Sequence, residues 1–238
     1  MMLSIIIPAY NEEAAVEEVL NATKVAQKLL LSKKYFDTIE IIVVNDGSRD
    51  NTEKILQTIS GIQIIKHDHN IGYGASLKAG FQVARGDTLA FLDADGTYDP
   101  RELPRLVEIL RDHNADMVIG NRMHPHSHMP ILRKIGNKIF ATIVSVTARK
   151  SISDITSGMR IFRRDILASL GPLPDGLEFT TVMTSRAILQ KNMNVVEIPI
   201  SYSERRGASK LKVLRDGPRA FWQLLKIVLA PTRKTDRI

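Results

Sequence analysis

The first half of the chain repeats one pattern that strongly restricts its fold. Short apolar runs rich in β-branched residues alternate with longer amphipathic stretches; the runs are LSIIIP (3–8), IEIIVV (39–44), IQIIKH (62–67) and TLAFLD (88–93). Such runs, bounded by turn residues and separated by helical stretches, predict βαβ units and a mostly parallel sheet. Because the strands are apolar on consecutive residues, the fold class expected is α/β with helices on both faces of the central sheet.

The second half follows this pattern less regularly. Helices are predicted at 12–31, 51–58, 75–84, 100–114, 131–150, 180–191 and 218–230, and further strands within 116–121, 158–165 and 195–202. Neither an internal repeat nor a low-complexity segment divides the sequence. We therefore expect one domain over residues 1–238, with consecutive parts at 1–118, 119–211 and 212–238.

Charge is divided unevenly between the two halves. Residues 1–118 carry 12 Lys and Arg against 18 Asp and Glu, a net charge of −6, whereas residues 119–238 carry 21 against 8, a net charge of +13. A basic half suits a phosphorylated substrate, an anionic membrane surface or nucleic acid, or is a solvated surface. We expect no nucleic-acid partner, because the basic stretches lack the interleaved aromatic residues of a base-stacking surface.

Two features concern redox chemistry and location. The chain has no cysteine, which excludes disulfides and thiolate sites and is compatible with a reducing cytosol. Its N-terminal MMLSIIIPAYNEE lacks the basic flank and cleavage site of a secretory signal, and the apolar segment at 221–230 is about half of the ~20 residues that span a bilayer. We therefore expect a cytoplasmic chain without a signal peptide or transmembrane helix.

The stretch FLDADGTYDP (91–100) places two carboxylates directly after an apolar strand. In an extended segment Asp93 and Asp95 would point to the same side at the carboxyl edge of the sheet, where ligands bind in open α/β folds. Two carboxylates this close repel each other unless a cation lies near them, and a divalent ion such as Mg²⁺ or Mn²⁺ suits them. The alternative is a turn with acids that cap a helix.

Other polar residues follow neighbouring strands at the same edge. Asp46 in VVNDGSRDNT could accept hydrogen bonds from a nucleobase or a ribose, and Tyr10 and Glu12 in IIIPAYNEE lie just past the first strand. The G-x-G in HNIGYGASLKAGF lacks the third glycine of a dinucleotide-binding fingerprint.

Seven stretches, in order between Leu3 and about Leu211, resemble the family 2, GT-A type glycosyltransferases. They are IIIPAYNEE, VVNDGSRDNT, NIGYGASLKAGF, FLDADGTYDP, GNRM, DITSGMRIFRRD and PISYSERRGASKLK. The most similar branch contains the dolichyl-phosphate mannose synthases and bacterial polyprenyl-phosphate sugar transferases. The resemblance implies a GT-A fold, with a Rossmann-like nucleotide-sugar and metal half at 1–118, an acceptor half at 119–211, and an amphipathic helix with a basic tail at 212–238.

The activity implied by the resemblance is a metal-dependent, inverting transfer of a hexose, mannose or glucose. The donor would be a UDP- or GDP-linked sugar and the acceptor dolichyl or undecaprenyl phosphate. Charge develops on the leaving diphosphate, so a divalent cation and nearby Lys or Arg stabilise the transition state. A phosphate monoester, with a second pKa near ~6, is mostly dianionic at pH 7 and needs cations more than a base.

The resemblance also assigns residues by position. Nucleotide-sugar binding falls to Pro8, Tyr10, Glu12, Asp46, Lys78 and Asp93, and metal binding to Asp93 and Asp95. The acceptor phosphate falls to Arg122, Arg133, Ser157, Arg205, Arg206 and Lys210. The expected catalytic residues are Asp93, Asp95, Arg122 and Arg206.

Two stretches depart from the pattern of the family. Gly96 and Thr97 stand where the mannose synthases commonly have Leu-Gln, which leaves the third metal ligand open. Glu204 stands where the spacing R-x-x-G-x-S-K places an arginine, so Arg205 and Arg206 remain alternatives. Two other functions stay open: transfer to a sugar hydroxyl or a glycolipid acceptor, with a carboxylate such as Glu178 as base, and a non-catalytic nucleotide-sugar-binding subunit.

A lipid acceptor requires contact with a membrane surface. The stretch 131–150 carries an apolar stripe, Ile135, Ile139, Ile143 and Val146, beside Arg133, Lys134 and Lys138; the last helix pairs Phe221, Trp222 and Leu225 with Arg219 and Lys226. Basic amphipathic helices can lie in the headgroup layer, although an apolar stripe at helical spacing is usually core. A peripheral location at the cytoplasmic face is expected, with a separate membrane-anchoring subunit or a homo-oligomer as possible partners.

Overall fold

This computed structural model describes residues 1–125, 127–207 and 213–229; for residues 213–215 it describes the backbone only. Seven strands form one sheet. The strands are β1 (Met2–Ala9), β2 (Thr38–Asn45), β3 (Gln63–Lys66), β4 (Thr88–Phe91), β5 (Met117–Asn121), β6 (Arg160–Arg163) and β7 (Val195–Pro199). Their order across the sheet is β3-β2-β1-β4-β6-β5-β7.

The sheet is mostly parallel, as the sequence predicts. β1 pairs in parallel with β2 and β4, β2 with β3, and β5 with β7. Only β6 runs in the opposite direction among the described strands, inserted between β4 and β5. The carboxyl ends of β1, β2, β4 and β5 therefore meet at one edge, and the residues that follow these strands come together there.

Eight α-helices and one 3₁₀ helix are present in the described part of the chain. They are α1 (Val16–Ser32), α2 (Thr52–Thr58), α3 (Tyr73–Val83), the 3₁₀ helix Pro100–Glu102, α4 (Leu103–Asp112), α5 (Ile131–Ala148), α6 (Ile166–Leu170), α7 (Phe179–Leu189) and α8 (Val213–Leu229). None of them is both long enough and apolar enough to cross a bilayer.

Helix α8 begins at Val213, five residues before the predicted start at 218. Pro218 lies inside the helix rather than in its first turn. A proline beyond the first turn removes one backbone hydrogen bond of the helix, so this position is less favourable than the predicted one. The five-residue α6 is a further difference, since it is too short to show a helical period.

Two apolar layers cover the faces of the sheet. Successive residues of β1 alternate between them: Ile5 and Ile7 pack with α1 and α4, whereas Ile6 packs with α3 and α7. The second layer contains a cluster of four aromatic rings, Phe81, Phe91, Phe162 and Phe179. The consecutive apolar runs of the strands are thus explained by burial on both sides.

The apolar stripe of α5 is only partly buried. Ile131, Leu132, Ile135, Ile139 and Val146 are exposed, whereas Ile143 packs against the second layer. Helix α8 lies beside α5, with the rings of Phe140 and Phe221 stacked at a centroid distance of 6.2 Å. Trp222 is 61% exposed. We call the surface formed by Ile131, Leu132, Ile135, Ile139, Phe221 and Trp222 the α5–α8 face.

Candidate functional site

The two carboxylates after β4 lie in a turn rather than in an extended strand. β4 ends at Phe91, and Asp93 and Asp95 take different partners. Asp93 Oδ1 accepts a 2.7 Å hydrogen bond from the hydroxyl of Tyr73, at the start of α3. Asp95 Oδ1 closes its own turn by accepting from the Thr97 backbone N–H at 3.0 Å and the Thr97 hydroxyl at 2.5 Å.

Asp93 is held in an environment that disfavours its charge. Burial and the neighbouring Asp95 carboxylate raise the pKa of Asp93 to about 7, although the Tyr73 hydrogen bond acts in the opposite direction. Gly158 packs directly on it, since a Cβ at this position would lie 2.2 Å from Asp93 Oδ2. A cation beside the two carboxylates would relieve this repulsion.

A cationic side chain already bridges two of the carboxylates at this edge. Arg205 places one terminal nitrogen on Asp95 Oδ2 and the other 2.5 Å from Glu12 Oε1. Burial lowers the pKa of Arg205, but Asp95 and Glu12 more than offset that effect and raise it. The guanidinium therefore neutralises two of the carboxylates at this edge of the sheet.

The donor chemistry suits Mg²⁺ or Mn²⁺, which prefer carboxylate oxygens and complete their shells with ligand phosphates and water. Among the described residues no group of three or more His, Cys, Asp or Glu side chains is arranged to hold a metal. A site here would accordingly rest on Asp93 and Asp95. Thr97, at the position of the open third ligand, donates its hydroxyl to Asp95.

Asp46, at the end of β2, orders the loop that follows β3. Its two oxygens meet His67 Nδ1 at 2.8 Å, the Asn70 side-chain amide at 2.8 Å, and the backbone N–H groups of Ile71 and Gly72 at 3.0 Å. A carboxylate has about four acceptor positions, and all of these are used. A nucleotide that binds Asp46 would have to replace one of these donors.

The other residues predicted to bind the nucleotide, Pro8, Tyr10 and Lys78, have different surroundings. Pro8 is buried within β1, paired with Val44, and Tyr10 follows the end of β1 and is half-buried. Lys78 points toward the loop before α7, where it pairs with Asp175 and donates to the Leu173 carbonyl at 3.2 Å.

Arg122 follows β5 and is fixed by a buried carboxylate. Its Nε and Nη2 atoms each lie 2.7 Å from an oxygen of Asp154. Its guanidinium carbon lies 5.8 Å from the ring centroid of Tyr98 and 5.3 Å from that of Tyr202. Burial lowers the pKa of Arg122, but the adjacent Asp154 raises it well above its ordinary value, so the arginine remains charged.

The remaining residues predicted to bind the acceptor phosphate are Ser157, Arg206, Arg133 and Lys210, and they lie in different parts of the chain. Ser157 is fully buried and donates its hydroxyl to the Gly120 carbonyl at 2.6 Å. Arg206 pairs with the exposed Glu18, while its backbone N–H donates to the Asp95 carbonyl at 3.3 Å. Arg133 lies in the first turn of α5. Lys210 falls outside the described residues.

The structure therefore brings Asp93, Asp95, Glu12, Arg205 and the backbone of Arg206 together. Sequence reasoning missed the residues that hold this group and Arg122 in place: Tyr73, Asp154, Tyr98, Tyr202 and Gly158. All five belong to the motifs noted in the sequence, but their partners are distant along the chain, and only the fold shows the pairs.

Arg160 was also missed. It is fully buried on β6, 5.0 Å from the ring centroid of Phe91, and donates to the Thr184 hydroxyl at 2.9 Å and to the Ser157 carbonyl. Its Nε has no hydrogen-bond partner among the described residues, and burial lowers the pKa of Arg160 to about 10. It lies beneath the turn that contacts Asp93.

Comparison with curated proteins gives relatives over nearly the whole chain. A hexosyltransferase of low-salt glycan biosynthesis, Agl6 of Haloferax volcanii, is 32% identical over 95% of this chain and 53% of its own length. Dolichol-phosphate mannosyltransferase of Pyrococcus furiosus is 29% identical over 89% of this chain and 60% of its length. A UDP-N-acetylglucosamine–dolichyl-phosphate N-acetylglucosaminyltransferase of Methanococcus voltae is 27% identical over 95% of this chain and 96% of its length. The chain thus spans about half the length of the first of these relatives.

Comparison with solved structures confirms the expected fold. Glucosyl-3-phosphoglycerate synthase from Mycobacterium tuberculosis, in complex with Mn²⁺, UDP and phosphoglyceric acid, matches with a TM-score of 0.73 at 20% identity over 98% of this chain and 80% of its own. At this identity the likeness concerns the fold alone. The model of glycosyl transferase family 2 matches residues 4–171, well over half of the sequence. The chain is a member of glycosyl transferase family 2.

Proposed function

We propose that the chain is an inverting hexosyltransferase that moves mannose or glucose from a UDP- or GDP-linked donor to a polyprenyl phosphate. The observation that carries this proposal is the meeting of Asp93, Asp95, Glu12 and Arg205 at the carboxyl edge of the sheet of a family 2 chain. The relatives named for dolichyl or dolichol phosphate support the acceptor class.

On the donor side, the carboxylates of Asp93 and Asp95 would hold Mg²⁺ or Mn²⁺ together with the diphosphate of the donor. When bound, the ion stabilises the negative charge that develops on the leaving diphosphate. Asp46 holds the loop over residues 67–72 in place, and the nucleoside would lie against this loop and the end of β1.

On the acceptor side, the phosphate arrives already ionised. Its second pKa is near ~6, so no side chain has to remove a proton at neutral pH. Arg205 and Arg206 offer planar guanidinium donors that match phosphate oxygens, with Arg133 and Lys210 as further cations. Arg122 contributes charge beside Tyr202 and fixes the segment that delivers these arginines, and Ser157 fixes the neighbouring turn.

The reaction is a single displacement. A phosphate oxygen forms a bond to the anomeric carbon while the bond from that carbon to the diphosphate oxygen breaks, and the electron pair leaves with the diphosphate. One in-line step inverts the anomeric centre. Its rate depends on positioning and on stabilisation of charge rather than on proton transfer.

The α5–α8 face supports a peripheral position on the cytoplasmic face of a membrane. Its apolar side chains project from two adjacent helices, with Ile131 76% exposed and Leu132 60% exposed. The exposed side chains of Lys138, Arg219 and Lys226 lie on the same helices. Exposed apolar side chains on helices that also carry exposed basic residues suit acyl chains and anionic headgroups.

The experiment that tests the proposal measures release of nucleoside diphosphate. Purified protein is incubated with Mn²⁺ and a panel of UDP- and GDP-sugars, with and without a polyprenyl phosphate, and with EDTA as the metal-free control. The proposal expects release from one donor class that requires both the lipid phosphate and the ion. Equal release without the lipid, or transfer to a sugar hydroxyl, would contradict it, and Asp95→Asn is the inactive control.

A further inference from the structure

Arg205 occupies an unusual place for a residue expected to bind an acceptor. Its guanidinium contacts Asp95 Oδ2 on the carboxylate pair and Glu12 Oε1 on the first strand's loop, and its side chain is 18% exposed. Both carboxylate side chains are 9% exposed. The arginine is therefore a largely buried counter-ion of Asp95 and Glu12.

Arg205 contacts Oδ2 of Asp95, the oxygen that Thr97 does not use. Asp95 Oδ1 already accepts from both the backbone N–H and the hydroxyl of Thr97. These two donors use the acceptor positions of Oδ1, so an ion approaching Asp95 has to use Oδ2. A divalent ion and a guanidinium on one oxygen repel each other strongly at this low exposure.

The backbone beneath Arg205 is fastened to the same loop. Ser203 N–H donates to the Thr97 carbonyl at 2.9 Å, and Tyr98 and Tyr202 form a β-bridge with their rings at 5.2 Å. Only the long, flexible side chain of Arg205 needs to move when its partner changes. A change of partner therefore involves a side-chain rotation over a fixed backbone.

We infer that Arg205 exchanges partners: it neutralises Asp95 and Glu12 before a divalent ion binds, and is released by the ion to bind the acceptor phosphate. Binding of the ion and of the acceptor are then coupled, because the ion frees the donors that the phosphate needs. By linkage, the phosphate strengthens binding of the ion by the same factor. This inference rests on the proposed function, which places the ion at Asp95.

The first test measures Mn²⁺ binding without any nucleotide, by the electron paramagnetic resonance signal of free Mn²⁺, for the whole protein and two variants. Arg205→Gln removes the competing cation and is expected to bind Mn²⁺ about tenfold more tightly than the unmodified protein. Arg101→Gln is the matched control: it removes the same charge from the 3₁₀ helix that follows the Asp95 turn, but Arg101 pairs with Asp99. It should bind Mn²⁺ as the unmodified protein does.

The second test measures binding of farnesyl phosphate with and without Mn²⁺. The unmodified protein should bind this probe several-fold more tightly with Mn²⁺, and Arg205→Gln should lose most of that difference. A variant that binds Mn²⁺ no more tightly than the unmodified protein, or that keeps the full difference, would overturn the inference. If Arg205→Gln does not fold by circular dichroism, Arg205→Lys replaces it, with a smaller increase in Mn²⁺ affinity expected because one ammonium cannot bridge both carboxylates.

Failure of the inference and failure of the proposed function give different results. Equal Mn²⁺ affinity in all variants, together with Mn²⁺-dependent sugar transfer, overturns the exchange of partners alone. No Mn²⁺ binding by any variant, together with transfer that persists in EDTA, overturns the proposed metal and with it this inference.

Discussion

The hydroxyl of Tyr73 lies 2.7 Å from Oδ1 of Asp93 and joins the start of α3 to the loop after β4. Burial and the Asp93 charge raise the pKa of Tyr73 well above its ordinary value, so the phenol stays protonated and donates. This bond fixes the direction of the carboxylate that receives the proposed metal. It links the crossover between β3 and β4 to the chemistry at the sheet edge.

Replacement of Tyr73 by Phe removes that donor without opening a cavity. We expect the kcat/KM for sugar transfer to fall about tenfold, which corresponds to the loss of about 1.4 kcal/mol of transition-state stabilisation. The matched control is Tyr35→Phe, whose hydroxyl bonds Glu108 beside α4. Steady-state kinetics with unchanged kcat/KM in Tyr73→Phe would show that the hydrogen bond does not position Asp93.

The raised pKa of Asp93 should make the stability of the metal-free protein depend on pH. Its pKa is raised to about 7 in the folded state, whereas the unfolded chain has an ordinary value near ~4. Below pH ~4 both states are protonated and the group has no effect. As pH rises toward 7, only the unfolded chain releases its proton, so the free energy of unfolding falls and then levels off above 7.

Asp93→Asn removes this penalty, because a neutral amide still accepts from Tyr73. In EDTA the variant should exceed the unmodified protein in stability at pH 8 by up to about 4 kcal/mol, reduced by the access of water to the site, and the advantage should shrink toward pH 4. Urea unfolding at several pH values measures this. A constant difference across that range would mean that Asp93 titrates normally.

The ion pair of Arg122 and Asp154 is buried, with the two side chains 8% and 0% exposed. Asp154→Ala leaves a buried guanidinium without its carboxylate and should lower the free energy of unfolding by about 3–5 kcal/mol. The double variant Arg122→Met with Asp154→Leu should recover much of that loss, because no unpaired charge remains. A denaturant midpoint of the double variant above that of Asp154→Ala would show that the unpaired charge causes the loss of stability. Equal midpoints would show that lost packing causes it.

The α5–α8 face predicts binding to vesicles of mixed anionic and neutral phospholipid. Ile135→Glu introduces a negative charge into the centre of the face and should reduce co-sedimentation with such vesicles several-fold. Val25→Glu is the control, since Val25 is 55% exposed on α1, away from this face. Equal binding of both variants would place the membrane contact elsewhere.

The burial of the sheet on both faces could be predicted from the sequence because consecutive apolar residues in β1, β2 and β4 demand cover on two faces. The order of the strands across the sheet could not. Nor could the direction of β6, because a four-residue strand carries no information on its orientation. The start of α8 was misplaced by five residues, since the helix begins at Val213 and not at Pro218.

For the site, the sequence predicted the location of the carboxylates but not the contacts that they make. The carboxylates could be located at the sheet edge because they directly follow apolar strands. The alternation argument for Asp93 and Asp95 was wrong in detail, since β4 ends at Phe91 and a turn replaces the extended segment. The pairs Tyr73–Asp93, Arg122–Asp154 and Arg205–Glu12 join residues between 20 and 193 positions apart. Sequence spacing cannot show such contacts, because they depend on how the crossovers pack.

The most direct test of the central claim follows the label of a radioactive nucleotide sugar into lipid extractable by butanol. The protein is supplied with Mn²⁺ and either a polyprenyl phosphate or the corresponding polyprenol, which lacks the phosphate. The account predicts that label enters the lipid only with the phosphate and that EDTA prevents this. Label entering the polyprenol equally well would contradict it, as would an absence of transfer from every UDP- and GDP-sugar supplied.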